Sequence, residues 1–173
     1  GTAGITFADG TTQTMAGTGA SISRIEADAN AQLTVNGGDF SGTGYDNTAF
    51  ETITYGDGST SRADINGGTF EFSAPDDGSY VTTFAVNNDG AGGSAILNMS
   101  GGDVESYRGV HVSATGDGGN ASYVGTDGTI TADEYGVLVE AETGGVASAN
   151  LSGTIDIESL NSTAVVVTSN NKA

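Results

Sequence analysis

The amino-acid sequence predicts an all-β fold, a right-handed parallel β-helix (β-solenoid) of about five coils. Two strand phrases predict it, because each returns along the chain at an interval suited to one coil. A third observation agrees: the 173 residues contain 29 Gly and 1 Pro, and no window carries the apolar stripe of an amphipathic helix. We therefore expect strands and glycine-rich corners throughout.

The first phrase is a short apolar strand, a turn of small residues and one closing apolar residue. Clear copies are Leu33–Phe40, Ala63–Phe70 and Leu97–Val104, and looser copies close at Ile130 and Ile155. The closing residues are thus 30, 34, 26 and 25 positions apart. Intervals of this size are typical of stacked-repeat proteins.

The second phrase is a strand in which apolar residues alternate with others. Its copies are Gly109–Val112, Gly136–Val139 and Ala164–Val167, at steps of 27 and 28 residues, and Thr83–Val86 is the corresponding strand one period earlier. Alternation with a period of two is typical of strands. Each coil is therefore expected to hold at least two short strands.

Stacking of these strands predicts one interior column. We expect small β-branched residues to fill it rather than a cluster of large aromatic rings, since the chain has only 6 Phe, 6 Tyr and no Trp. The residues expected to point inward are Leu33, Val35, Phe40, Ile65, Phe70, Phe84, Val86, Leu97, Met99, Val104, Val110, Val112, Val124, Ile130, Val137, Val139, Leu151, Ile155, Val165 and Val167.

The coil periods divide the chain into two parts. Residues 1–29 form an N-terminal cap or docking segment, and residues 30–173 form the β-solenoid domain. An open terminal coil exposes unpaired strand edges. No helical or Pro-rich cap follows the strand Ala164–Thr168. We therefore expect either a continuing chain or self-association, by end-to-end stacking into a filament or another homo-oligomer.

Charge and apolar run length argue against nucleic acid and membrane as partners. The chain has 22 Asp and Glu against 4 Lys and Arg, a formal net charge of −18. Binding to nucleic acid requires a basic patch, and the four cations are scattered along the sequence. There is also no apolar run long enough for a membrane span, so we expect no membrane insertion by this segment.

Metal and cofactor sites are weakly indicated. Without Cys and with one His, no thiolate or histidine metal centre is expected, and no cofactor motif is present. Calcium suits the oxygen ligands available. Gly42–Thr48 faintly resembles one unit of the calcium-binding nonapeptide repeat, and Asp46 and Asp57 are the candidate ligands. That unit stands alone, whereas such sites require tandem copies, so the sequence predicts no metal site.

Four tyrosines mark a possible recognition surface. The longer early coils carry inserts at Tyr45–Ser61 and Ser73–Ser79, and inserts in solenoids usually decorate one face, often the binding face. Exposed tyrosines among Ser, Gly and Asn suit contact with a cell-surface glycan or a protein receptor. The residues in or near these inserts are Tyr45, Tyr55, Tyr80 and Tyr107.

The second phrase also predicts an outward lane. His111, Leu138 and Val166 occupy equivalent positions between inward valines. Stacked apolar residues on a solenoid surface form either a lateral contact strip or a lane covered by a loop. The lone histidine is expected to be a surface residue.

No catalytic residues are predicted. The pairs Glu140 with Glu142 and Asp156 with Glu158 each lie on one outward face of a strand. Glycoside hydrolysis needs two carboxyl groups at a defined separation in a cleft, whereas exposed carboxylates are usual on a solvated surface. The chain also lacks the Gly-x-Ser-x-Gly phrase of serine hydrolases and the P-loop lysine.

Two family resemblances follow from particular segments. Gly128–Val139, with Ser152–Ile155 and Ala164–Val167, resembles the passenger domains of bacterial autotransporters, over roughly residues 30–170. Those passengers are right-handed parallel β-helices exported to the cell surface, often as adhesins. Gly4–Ala16 is similar to a segment that recurs in phage tail-fibre proteins, which are often β-helical and trimeric.

The sequence thus predicts a non-enzymatic, extracellular structural or adhesive β-solenoid, such as a surface adhesin or a filament-forming subunit. Two alternatives remain open at this point. One is a phage tail-fibre or tailspike receptor-binding module on a virion surface, and the other is a β-helical carbohydrate-active enzyme.

Overall fold

The structure is a computed structural model that describes residues 5–7, 12–13, 23–43, 47–74 and 80–170. Within these ranges the chain forms strands and turns and contains no helix. The strands are β1 Ile5–Phe7, β2 Thr12–Gln13, β3 Ser23–Ala27, β4 Ala31–Thr43, β5 Asn47–Thr54, β6 Thr60–Ser73, β7 Val81–Asn88, β8 Ser94–Ala114, β9 Asn120–Ala141, β10 Val146–Leu151, β11 Asp156–Ser159 and β12 Thr163–Ser169.

Parallel pairing joins these strands into stacked coils. The first coil holds β4 and β5, the second β6 and β7, the third β8, the fourth β9, and the fifth β10 to β12. Each strand pairs with its equivalent in the next coil, so nearly all contacts join residues far apart in sequence. The prediction of an all-β, parallel β-solenoid of about five coils is confirmed.

Two inward lanes run the length of the stack. The first lane joins the closing residues of the first phrase, and the second lane joins the leading apolar residues of the second phrase. The first lane consists of Phe40, Phe70, Val104, Ile130 and Ile157. The second lane consists of Phe50, Phe84, Val110, Val137 and Val165.

The last copy of the first phrase was predicted in the wrong register. Ile130 pairs with Ile157 rather than with Ile155, so the last step is 27 residues rather than 25. The reason is local: Gly153 has φ 72°, and the turn that it forms places Ile155 before β11 begins. The second phrase was predicted in the correct register in all four copies.

The lanes divide every coil into a constant and a variable part. From each second-lane residue to the first-lane residue of the next coil the chain takes 20 positions, as from Phe50 to Phe70. The stretch that leads from β3 into the first coil, from Ser23 to Phe40, is shorter, at 17 positions. From the first lane to the second within one coil it takes 10, 14, 6, 7 and 8 positions in turn. We call this second stretch the variable corner; it comprises residues 41–49, 71–83, 105–109, 131–136 and 158–164.

Glycine corners explain why the constant part keeps its length. At the Gly-Gly step, Gly68 has φ 119°, and an added Cβ would lie 2.9 Å from the carbonyl oxygen of Gly38 in the coil beside it. A side chain is therefore excluded by both conformation and space. Only a turn of this composition lets the two backbones approach so closely.

A second corner in the constant part was missed by sequence reasoning. The backbone amide of Gly58 donates to the carbonyl of Ala91 at 2.8 Å, and that of Gly118 donates to Thr143 at 2.9 Å. These bonds join turns in successive coils. The signal that could have found the corner is a Gly-x-Gly phrase at Gly56–Gly58, Gly90–Gly92 and Gly116–Gly118.

The interior of the first two coils contradicts the predicted column of small residues. Phe40, Phe50, Phe70, Phe72 and Phe84 pack as one aromatic cluster, with ring centroids between 4.9 and 6.1 Å apart. Only from the third coil onward do Val and Ile fill the same lanes. A low phenylalanine content concealed the cluster because five of the six rings lie in one third of the chain.

One further inward assignment was wrong. Tyr123 is fully buried and pairs with Leu97, whereas Val124 pairs with Asn98 and is only half-buried. Strand alternation then places Val124 on the outer face. In the fifth coil, Leu151 and Val167 keep the inward register, opposite Gly125 and Val139. They are 45% and 44% exposed because among the described strands β10 to β12 pair only with β9.

The predicted boundary at residue 29 falls next to a solenoid strand. β3 pairs in parallel with β5 and so continues the stack, although it lies within the predicted cap segment. β1 pairs with β2 and with β4 in the antiparallel direction, which covers part of the β4 edge. The role of residues 1–29 as a cap or docking segment stays a prediction.

The insert predicted at Tyr45–Ser61 is mostly regular structure. It contains β5, which pairs with β7, and the Gly-x-Gly turn of the constant part. The extra residues of the first two coils lie instead in the variable corner. Of the second predicted insert, Ser73–Ser79, residues 75–79 lie outside the described residues.

Candidate functional site

A groove of about 440 Å³ runs across the variable corner. Every residue that lines it belongs to that corner, from the second coil to the fifth. They are Glu71, Phe72, Ser73, Ala74, Glu105, Ser106, Tyr107, Thr131, Ala132, Asp133 and Leu160. The groove exists because corners of different length are stacked on coils in register.

Strand register aligns the acidic side of the groove. Glu71 pairs with Glu105, and Glu105 pairs with Thr131, so these positions follow one another along the stack. Neighbouring strands lie about 4.8 Å apart. Both glutamates are exposed, and Asp133 adds a third, half-buried carboxylate. Among the described residues none of the three forms an ion pair.

Hydroxyl and apolar groups complete the lining. Phe72 is buried beneath the groove, and the Leu160 side chain is 65% exposed. The Ser106 hydroxyl donates to the carbonyl of Arg108 at 2.6 Å, which holds that side chain against the backbone. The half-buried ring of Tyr107 stands beside these groups. The groove thus combines carboxylates and hydroxyls with small apolar surfaces.

The four predicted tyrosines do not share one surface. Tyr107 lines the groove and Tyr80 lies at the end of the variable corner of the second coil, but Tyr55 belongs to the constant part. Tyr55 accepts a hydrogen bond from Nη2 of Arg24 at 3.4 Å. Tyr45 lies outside the described residues.

Sequence reasoning missed an arginine held between two tyrosines beside the groove. The guanidinium of Arg108 lies 3.8 Å from the ring centroid of Tyr80 and 5.5 Å from that of Tyr135. Its Nε donates to Glu134 at 2.5 Å. Burial acts to lower the pKa of Arg108, but the bond to Glu134 and the charge interactions with Tyr135, Glu134 and Tyr80 together outweigh it, so the pKa lies above its ordinary value. Arg108 therefore stays charged and joins three successive coils.

The predicted outward lane is continuous in register. His111 pairs with Leu138, and Leu138 pairs with Val166; all three are half-buried. Nε2 of His111 lies 3.0 Å from Oε2 of Glu140. Glu140 and Glu142 line a smaller hollow of about 270 Å³. That this lane is a lateral contact strip stays a prediction.

Of the two candidate calcium ligands, Asp57 lies within the described residues. Asp57 is exposed, and its Oδ1 accepts a hydrogen bond from the backbone amide of Ala91 at 3.2 Å. Asp46 lies outside the described residues. Within the described ranges, no group of three His, Cys, Asp or Glu side chains could hold a metal ion.

Neither a membrane-spanning helix nor a similarity to a known protein indicates the function. Among the described residues there is no helix long and apolar enough to cross a membrane. No family model, curated protein or solved structure matches this chain.

Proposed function

We propose that this chain is a non-enzymatic, extracellular structural and adhesive β-solenoid that recognises a glycan through the groove of its variable corner. One observation carries the proposal: within the five coils from β4 to β12, all the length variation falls at the corner that bears the groove. In solenoids, insertions confined to one face commonly mark the binding face. The constant part supplies the rigid stack that holds this face in place.

The acidic pair in the groove favours recognition over hydrolysis. A glycosidase needs two carboxyl groups in different environments, one protonated and one ionised. Glu71 and Glu105 instead occupy equivalent positions in successive coils, and both are exposed. Equivalent exposed carboxylates are suited to accept hydrogen bonds from a ligand.

A glycan array tests the proposal. We expect the labelled protein to bind a restricted set of glycans, Tyr107→Ala to abolish most of the signal, and the matched variant Tyr55→Ala to retain it. Tyr55 is an exposed tyrosine outside the groove. Equal loss in both variants, or no retained glycan, would contradict the proposal. Release of reducing ends from a bound glycan would instead indicate an enzyme.

A further inference from the structure

The chemistry of the groove restricts the glycan further, and this step rests on the proposed function. We propose that the groove binds an oligosaccharide that carries free amino groups. Glu71 and Glu105, in neighbouring coils, together with Asp133, face the same 440 Å³ space. That volume lies in the range of about 300–1,000 Å³ that is usual for ligand sites.

The charges favour a cationic ligand. No side chain that lines the groove is basic, and Arg108 beside it is already bonded to Glu134. The chain as a whole carries a formal charge of −18. A uronate or sulfated glycan would be repelled at short range, whereas an ammonium group would be attracted.

The hydrogen-bonding groups agree with the charges. The lining side chains contain no nitrogen; their polar atoms are the carboxylates, which only accept, and the hydroxyls of Ser, Thr and Tyr. A ligand must therefore supply most of the donors. Sugar hydroxyls donate, and each ammonium group offers three N–H donors.

The apolar lining suits a sugar ring. Tyr107 offers the flat surface against which the C–H face of a sugar packs, and Leu160 offers a second apolar contact at the rim. An aromatic ring also attracts a cation placed over its face. An amino sugar meets both requirements in one unit.

A basic peptide fits less well. Peptides that lie along a sheet are usually held by an unpaired strand edge. Beneath the groove, Glu71, Glu105 and Thr131 each belong to a strand that is paired on both sides. Peptide carbonyls would also meet a surface that has few donors. The observations therefore favour the glycan.

Calorimetric titration at physiological ionic strength tests the inference. The ligands are a glucosamine oligomer with all amines free, the N-acetylated oligomer of equal length, an oligogalacturonate and a Lys-rich peptide. We expect the free-amine oligomer to bind about tenfold more tightly than the acetylated one, because charge-assisted hydrogen bonds are stronger than neutral ones. The oligogalacturonate should not bind.

Matched variants locate the binding. We expect Glu105→Gln to weaken binding of the free-amine oligomer about fivefold. We expect the exposed Glu142→Gln, outside the groove, to change it less than about twofold. Equal effects of the two variants would mean general attraction to an acidic protein and would overturn the inference.

Three other outcomes would also overturn it. Equal binding of the acetylated oligomer, still sensitive to Tyr107→Ala, would remove the amino requirement but leave the proposed adhesive function intact. Tighter binding of the Lys-rich peptide with the same variant pattern would assign the groove to a protein partner. Binding of none of these ligands would overturn the amino-glycan inference alone, since the array tests recognition independently.

Discussion

The first two coils differ from the third and fourth in the side chains that fill their interior. In both inward lanes, Phe occupies the first two coils and Val or Ile the later ones, while the register is unbroken. The early coils are also those with the longest variable corners. The large rings thus fill the interior of the coils that bear the longest corners, and the smaller β-branched residues fill the interior of the coils with short ones.

The largest expected effect is the loss of one ring from the aromatic cluster. Phe70 is fully buried and lies 4.9 Å from the ring of Phe84 and 5.2 Å from that of Phe40. We expect Phe70→Ala to lower the free energy of unfolding by about 3–5 kcal/mol, because the stacked backbones cannot close the cavity. Urea denaturation measures this. A loss below about 1 kcal/mol would mean that the early coils collapse around the gap.

The next prediction compares the fourth coil, which has a coil on either side, with the fifth, whose described strands pair only with β9. Ile130 is fully buried in the fourth coil, and its register partner Ile157 is half-buried in the fifth. We expect Ile130→Ala to cost about 2–5 kcal/mol and Ile157→Ala less than half of that, since less apolar area is lost. Denaturation of the two variants under identical conditions gives the ratio. Equal losses would show that the fifth coil is covered in solution.

A smaller effect is expected from the network of hydrogen bonds around Asp64 on the outer face of the second coil. Asp64 accepts bonds from Arg62 at 2.7 and 2.8 Å and from Asn98 at 2.8 Å. Burial acts to raise the pKa of Asp64, but these bonds and one from Gln32 outweigh it, so the pKa lies below its ordinary value. Asp64→Asn should cost about 1 kcal/mol, because Arg62 is partly screened by solvent.

The network also predicts a pH dependence. A carboxylate with a lowered pKa stabilises the fold fully above its unfolded value of about 3.9, and the contribution is lost as pH falls towards the folded value. The difference between the native protein and Asp64→Asn should therefore be constant near neutral pH and shrink in acid. Chemical denaturation at a series of pH values checks this, and a difference that grows in acid would contradict it.

The smallest effect concerns the buried tyrosine of the fourth coil. Among the described residues, the hydroxyl of Tyr123 donates only to the sulfur of Met99, at 3.6 Å, and burial raises the pKa of Tyr123. Tyr123→Phe should change the free energy of unfolding by less than about 0.5 kcal/mol. The loss of a weak hydrogen bond is offset because a buried hydroxyl no longer has to be desolvated. A thermal melt measures it. A large loss would reveal a stronger acceptor for the hydroxyl.

The sequence predicted what depends on local alternation. The strand Val137–Val139 and its copies were correct because their inward apolar residues recur at every second position. Val124 was placed inward because it is aliphatic. Alternation from the buried Ala121 instead points Tyr123 inward. The Ile155 error arose where a turn replaced a strand residue. In both cases the residue was chosen by its type, whereas the structure selects it by its position in the strand register.

The groove could not have been predicted in the same way. Tyr107 was named as a possible recognition residue near an insert, and it lines the groove, but Asp133 and Leu160 carry no motif. They meet because corners of 6, 7 and 8 positions are stacked beside one of 14. Such a space depends on the relative lengths of separate coils, which become visible only when the register is known.

The constant 20-residue part has a consequence for how such a chain changes over time. Insertion or deletion at the variable corner leaves the glycine turns and both lanes aligned. New loops can therefore arise there without altering the order in which coils assemble. The same property makes this corner the natural place to graft a foreign loop onto the scaffold.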